Sequence, residues 1–282
     1  MNPYTAETTG KVTTVRFQSV AAGWEQWVML RSDAHHDSRL CDRDLEQAHL
    51  QTAAARNALI LDGGDLFDAM QSRHDRRSSY DEIRPENATP DYFGSIVQHA
   101  AEDYAPYAPN WLLLAQGNHE SGALNHTNLN LTTMLIDKMR DAGGKPQAGQ
   151  YAGWVVLRFQ IQETVIQTVK VRYFHGSGGA APVTLGAIDT NRQAVYLPDA
   201  DIVWNGHTHT SYLFYRARER CSQTGRVSQD LVTYIRTPGY KGQGLWEISK
   251  GFSPQPHGCA WLRFYLDAHS SMVKYDVMME LK

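Results

Sequence analysis

Ala58-Leu59-Ile60-Leu61-Asp62-Gly63-Gly64-Asp65-Leu66-Phe67-Asp68 changes character in its middle. Ala58 to Leu61 are apolar and glycines end the run, the pattern of a short buried strand entering a loop. Loops at the carboxyl ends of strands are where open α/β sheets place ligands. Gly-Gly-Asp is also ordinary turn chemistry, and on this stretch alone the turn is the better reading. Whether Asp65 is a ligand depends on what the other loops carry.

Upstream, residues 12–20 alternate loosely, as an edge strand does. Trp27-Val28-Met29-Leu30 reads as a strand that enters Ser32-Asp33-Ala34-His35-His36-Asp37. Asp33 and His35 are two apart, so in extended chain both side chains leave on one face and can serve one ion. Residues 42–57 read as a helix, with Asp42, Asp44 and Glu46 at the dipole's positive end and Leu45, Ala48, Thr52 and Ala55 as its inner stripe. With the strand at 58–62 this makes a β-loop-α-β unit, which favours parallel pairing.

Downstream, residues 71–90 are polar and irregular, with Arg73, His74, Arg76, Arg77 and Arg84. A solvated loop is the plainer reading; the sharper one is a lip whose arginines contact phosphate. Tyr92 to Tyr104 reads as a helix, and Trp111 to Ala115 as a strand entering Gly117-Asn118-His119-Glu120. Residues 128–141 read as a helix with Leu129, Thr132, Leu135, Ile136 and Met139 inward, stopped by Gly143-Gly144. Strands follow at 154–159 and 165–174, the second entering His175-Gly176-Ser177-Gly178-Gly179. A short helix covers 184–194, and Asp201 to Trp204 is a strand entering Gly206-His207-Thr208-His209. Further strands are expected at 212–215, 231–235, 261–266 and 272–279. The segment Pro238 to Gly244 reads either as a plain glycine-rich loop or as a return to the site that sets Lys241 near phosphate.

The 282 residues show no repeat, low-complexity tract or linker, so one domain spanning 1–282 is expected. A formal charge of −3 argues against a chain that coats nucleic acid, although a local basic groove stays open. Three scattered cysteines without a CxxC do not suggest a disulfide framework or zinc finger. The polar start has no signal-peptide core and no apolar run approaches the ~20 residues of a membrane span, so a cytoplasmic chain with no membrane partner is expected.

Five apolar runs thus end in loops bearing metal-capable side chains: Asp33/His35, Asp65, Asn118/His119, His175 and His207/His209. Each has a bland explanation singly, since a lone His175 is usually a hydrogen-bonded structural residue. Five repetitions of one strand-then-ligand arrangement make that explanation weak. Competing motifs fail: His119-Glu120 does not continue as HExxH, because position 123 is Ala, and the glycines after His175 lack the Walker lysine. There is no GxSxG.

In this order the motifs resemble those of the calcineurin-like metallophosphoesterases: Asp33-Ala34-His35, Gly64-Asp65-Leu66-Phe67-Asp68, Gly117-Asn118-His119-Glu120, His175 and Gly206-His207-Thr208-His209. The resemblance covers residues 33 to 209. It implies an α/β fold of two mixed β-sheets packed face to face and flanked by helices in four layers, with the site in loops at one end. It further implies that Asp33, His35, Asp65 and His209 hold one divalent metal and Asp65, Asn118, His175 and His207 the other, with Asp65 bridging. His119 would sit beside the metals as proton donor, oriented by Asp68.

Those residue types suit the chemistry. Two cations ~3.5–4 Å apart neutralise an anionic ester and acidify a water between them, which attacks. Mixed oxygen and imidazole ligands favour manganese, with iron, zinc or magnesium as alternatives. His36 follows His35, and Ala69-Met70 follow Asp68, which departs from the protein-phosphatase branch and resembles phosphodiesterase and nuclease-like branches. A phosphodiesterase acting on nucleotides or nucleic acid is therefore expected. The alternatives are a phosphomonoesterase, including a protein phosphatase, or a non-catalytic relative that uses the fold as a scaffold, although such relatives are expected to lose ligands and here every motif position is filled. The style of the chain, with Gly23-Trp24, the arginine-rich loop and Gly251-Phe252-Ser253-Pro254-Gln255-Pro256-His257-Gly258, is similar to phage-encoded members.

Overall fold

The structure, a computed structural model, describes residues 3–70, 82–163, 165–179, 183–184 and 186–282. Arg73, Arg76 and Arg77, expected as phosphate contacts, lie outside them. One sheet runs β13 (Met272–Leu281), β12 (Gly258–Asp267), β3 (Glu25–Arg31), β4 (Leu59–Asp62), β5 (Trp111–Leu114) and β6 (Gln147–Ala148). The other runs β1 (Tyr4–Thr9), β2 (Val12–Phe17), β7 (Ala152–Gln160), β8 (Ile166–Phe174), β9 (Ile202–Asn205), β11 (Val227–Arg236) and β10 (Tyr212–Cys221). Both sheets are mixed. β3, β4 and β5 are parallel neighbours, as are β8, β9 and β11, while hairpins such as β12–β13 and β10–β11 are antiparallel.

Alternation along β3 and β4 shows why the sheets stack. Val28, Leu30, Leu59 and Leu61 point to the second sheet and pack with Phe17, Leu157, Phe159 and Ile202. Met29 and Ile60 point the other way, into a core shared with Leu50, Ile96, Val97 and Leu135. A strand buried on both faces reads as an unbroken apolar run, which is how 58–61 reads. Truncating Leu61 to Ala would cost about 2–5 kcal/mol through lost transfer energy and the cavity left behind.

The outer core lies under α1 (Arg43–Ala55), α2 (Tyr92–Tyr104) and α4 (Leu131–Asp141). On the far side of the second sheet, Ala194 of α5 (Ala187–Tyr196) packs beside Val203, Val232 and Tyr234. The layers are therefore helices, sheet, sheet, helix, the architecture expected from the sequence.

Several local expectations change. β2 lies one strand in from the edge, because β1 pairs outside it. The buried face of α1 carries Glu46, His49, Leu50 and Ala53, not Leu45, Ala48, Thr52 and Ala55. An apolar count misses that face because Glu46 and His49 have buried polar partners, Arg31 and Tyr240. Leu129 is exposed, whereas Thr132, Leu135, Ile136 and Met139 face inward as expected. Asn118 to Glu120, read as loop, open helix α3 (Asn118–Thr127).

Candidate metal centre

The carboxyl ends of β3, β4, β5, β8 and β9 come together, and each delivers its loop to the same place. Asp33 follows β3 and is fully buried. Its carboxylate accepts from the His207 amide, with Oδ1 at 3.0 Å and Oδ2 at 2.9 Å. A Cβ on Gly206 would lie 2.4 Å from Asp33 Oδ2, so only glycine lets this loop approach. Asp65 follows β4, and its Oδ1 accepts from the His119 amide at 2.9 Å. A Cβ on Gly117 would stand 2.0 Å from that oxygen, which gives the Gly-Asn-His motif a steric reason.

Glu120 ties the Asp65 loop to the start of α3. Its Oε2 accepts from the amides of Gly117 at 2.8 Å and Asp65 at 3.0 Å, and its Oε1 from Phe67 at 2.9 Å. Asp33, His35, Asp65, His207 and His209 all have left-handed backbones, with φ between 47° and 73°. This costs a non-glycine residue roughly 1–2 kcal/mol each. Such concentrated strain is typical of functional sites, where surrounding contacts impose it.

Three sets of ligand atoms result, each set within 4.8 Å of itself: Asp33, His35 and His209; His35, Asp65 and His119; and Asp65, His175 and His207. His35 Nε2 and His209 Nε2 are 3.2 Å apart, and His209 Nε2 lies 3.7 Å from Asp33 Oδ1. His175 Nε2 lies 3.1 Å from Asp65 Oδ2 and 3.2 Å from Asn118 Oδ1. His119 Nε2 is 3.7 Å from Asp65 Oδ2.

The outer nitrogens explain which atoms face inward. His175 Nδ1 donates to the Gly63 carbonyl at 3.0 Å, His119 Nδ1 to the Asp68 carbonyl at 2.5 Å and His207 Nε2 to the Gly178 carbonyl at 3.1 Å. His35 Nδ1 lies 2.9 Å from Asp68 Oδ1. A carbonyl only accepts, so the partner nitrogen carries the proton and the other nitrogen is the one offered to a cation. His207 Nδ1 is buried without a hydrogen-bond partner. An orphaned imidazole nitrogen beside Asp65 and His175 fits a metal ligand.

Without a cation the charged groups of the centre balance one another, and a metal would have to displace the extra His175 proton. Burial pushes the Asp33 pKa up to about 7, with Asp65 adding to the rise. Burial also opposes ionisation of Asp65, but His175 and His119 outweigh it and hold Asp65 well below the usual carboxylate range. Burial disfavours charged His175, yet Asp65 and Asp33 prevail and raise it to about 10. Burial lowers His35, His207 and His209, which keeps those imidazoles neutral and able to ligate.

The structure places one expected contact on a different atom and moves another. The Asp68 backbone carbonyl meets His119, while its carboxylate meets His35 and Lys241. Lys241 does return to the site, but its buried ammonium lies 2.9 Å from Asp68 Oδ1 and 3.2 Å from Glu82 Oε2. It therefore braces Asp68 instead of opening onto a substrate. His36 and Asp37, which the sequence leaves open between partners behind the ligands, lip residues and plain surface residues, are buried. Asp37 accepts from the Asp68 and Ala69 amides and the Tyr92 hydroxyl, fixing the same loop from below. Sequence reasoning missed the bracing roles of Glu120 and Asp37; glutamate at the third position of α3 was the available capping signal.

No family model matches the chain, and no curated protein matches it in sequence. Among solved structures, vacuolar protein sorting 29 from Cryptosporidium parvum is similar over 92% of this chain and 100% of its own, at 15% identity and a TM-score of 0.40. A predicted phosphoesterase from Streptococcus pneumoniae TIGR4 shares 12% identity over 92% of this chain and 91% of its own, with a TM-score of 0.36. A metallophosphoesterase from Sphaerobacter thermophilus shares 11% over 91% and 90%, with a TM-score of 0.34. At such distances these likenesses assign no activity to this chain.

Proposed function

We propose that the chain is a dinuclear metal-dependent phosphoesterase whose preferred substrates are phosphodiesters of nucleotides or nucleic acid. The observation that carries the reading is the convergence of two three-residue ligand sets, Asp33/His35/His209 and Asp65/His175/His207, in which His35, His175 and His207 each have the outer nitrogen engaged and the inner one offered to the centre. Asp65 also lies in ligand range of His35, so its carboxylate is the natural bridge between the sets. Asn118 Oδ1 joins the second set beside His175.

Two divalent cations bound there supply charge neutralisation for an anionic ester and acidification of water. Manganese is the expected ion for this oxygen and imidazole set. The chain's own residues do the rest. His119 keeps its Nδ1 proton on the Asp68 carbonyl, so any second proton sits on Nε2, the atom facing Asp65. Protonated there, His119 gives that proton to the departing alkoxide as the P–O bond breaks, and it stabilises charge on the phosphoryl oxygens before then. Asp68 holds His35 by its carboxylate and His119 by its carbonyl, so one residue sets both a ligand and the proton donor.

The reading is tested by turnover of a chromogenic phosphodiester and a monoester by metal-stripped protein reloaded with Mn(II). Diester turnover above monoester turnover is expected. Monoester preference would transfer the proposal to a phosphomonoesterase, and metal uptake with neither activity would favour a non-catalytic scaffold.

A further inference from the structure

A second set of ligand-type side chains lies on the helix-covered face of the six-stranded sheet, remote in sequence from the five loops. Cys259 of β12 and Glu280 of β13 are direct cross-strand partners. Their side chains leave on one face, with Cβ atoms about 4.5–5.5 Å apart. His49 of α1 approaches from above, and the three ligand atoms lie within 4.8 Å of one another.

Each imidazole or carboxylate atom is aimed by a neighbour. His49 Nδ1 is 2.9 Å from the Tyr240 hydroxyl, which leaves Nε2 facing the sheet. Glu280 Oε2 accepts from Trp261 Nε1 at 2.6 Å, which leaves Oε1 facing His49. His49 Nε2 and Glu280 Oε1 are 3.8 Å apart. That is too long for a hydrogen bond and close to the separation of two ligands about 2.0–2.2 Å from one tetrahedral cation. A similar gap, 3.7 Å, separates His209 from Asp33 in the proposed centre. Cys259 and His49 are buried, while the Glu280 side chain is 47% exposed, so the set is open to solvent on one side only.

We propose that His49, Cys259 and Glu280 form a separate mononuclear site for a thiophilic divalent cation of the zinc class, which joins α1 to the C-terminal hairpin. On binding, Cys259 releases its thiol proton to solvent, and the cation takes the thiolate sulfur, His49 Nε2, Glu280 Oε1 and one water. Nothing is oxidised. Mixed sulfur, imidazole and carboxylate donors suit zinc or cobalt and disfavour magnesium or calcium.

The test uses the full chain, stripped of metal and titrated with Co(II). The five-loop centre contains no cysteine, so near-ultraviolet thiolate-to-cobalt charge-transfer absorption reports a sulfur site alone. The band is expected in the unaltered protein, with Cys41→Ser and with Cys221→Ser, and is expected to vanish with Cys259→Ser. Glu280→Gln, half-exposed and tolerated by the fold, should weaken the cobalt affinity read from the band by roughly tenfold or more. Absence of the band at saturating cobalt in the unaltered chain overturns the proposal. So does a band that survives Cys259→Ser, or one whose affinity Glu280→Gln leaves unchanged.

Discussion

Two groups of buried carboxylates sit one behind the other at the end of β3, and they are neutralised differently. In the rear group Arg31, fully buried, reaches Glu46 at 2.7 Å and Asp62 at 3.0 Å, with the rings of Tyr104, Trp111 and Tyr240 around its guanidinium. In the front group Asp33 and Asp65 face imidazoles, and the neighbouring Lys241 is engaged by Asp68 and Glu82. The rear carboxylates thus face a permanent cation, whereas the front ones face imidazoles, of which His175 is raised to about 10 by Asp65 and Asp33. A buried carboxylate without a partner is costly, and in the front group that partner is an imidazole whose place a cation can take under the proposed function.

The largest effect is expected from breaking the rear group. Arg31→Met leaves Glu46 and Asp62 buried without their cation and should cost about 3–5 kcal/mol of folding stability in urea denaturation of metal-free protein. Asp33→Asn in the front group should cost far less in the same assay. Equal losses would erase the distinction. His119→Gln should lower turnover by roughly a hundredfold while metal content, read by elemental analysis, stays that of the unaltered chain. Loss of metal alongside activity would make His119 a ligand and not a proton donor.

A smaller effect is expected at the seam between the groups. Lys241→Met removes the brace on Asp68 and, through it, the hold on His35. A decrease of about tenfold in metal affinity or turnover is expected, in the range for residues that orient a ligand. Direct phosphate binding by Lys241 would show instead as a raised KM with metal affinity unchanged.

The smallest effect is a pH slope. Burial opposes ionised Glu46, but His36 and Arg31 outweigh it and hold its pKa well below the usual carboxylate range. A depressed pKa contributes stability that is present above the unfolded value and lost as pH falls below it. Acid titration of stability should therefore fall more steeply below about pH 4.5 for the unaltered chain than for Glu46→Gln. Asp62 works the other way. Burial raises its pKa to about 6, so its contribution favours the fold as pH falls, and only the difference between the two chains isolates Glu46.

The same contrast explains what the sequence showed. The front group was legible because its chemistry is local: each candidate ligand follows an apolar strand, and glycines mark the close approaches at positions 117 and 206. The paired sheets were legible because Leu59 to Leu61 are apolar on both faces. The rear group was hidden, since Arg31, Glu46 and Asp62 come from three elements and a polar residue inside a helix reads as surface until its partner is seen. The Asp68 atom that meets His119 was hidden for a related reason. Spacing gives the residue near His119 but cannot say whether its carbonyl or its carboxylate makes the bond. The strand ends of the β10–β11 and β12–β13 hairpins extend beyond their apolar stretches because cross-strand pairing, not local composition, holds them.

The central claim is that Asp65 joins two cations in one centre. Electron paramagnetic resonance of metal-stripped protein reloaded with Mn(II) tests it most directly, because two manganese ions sharing a bridging carboxylate are exchange-coupled. A coupled spectrum that collapses to isolated Mn(II) signals in Asp65→Asn is the predicted result. Uncoupled Mn(II) in the unaltered chain, or coupling that survives Asp65→Asn, would contradict it.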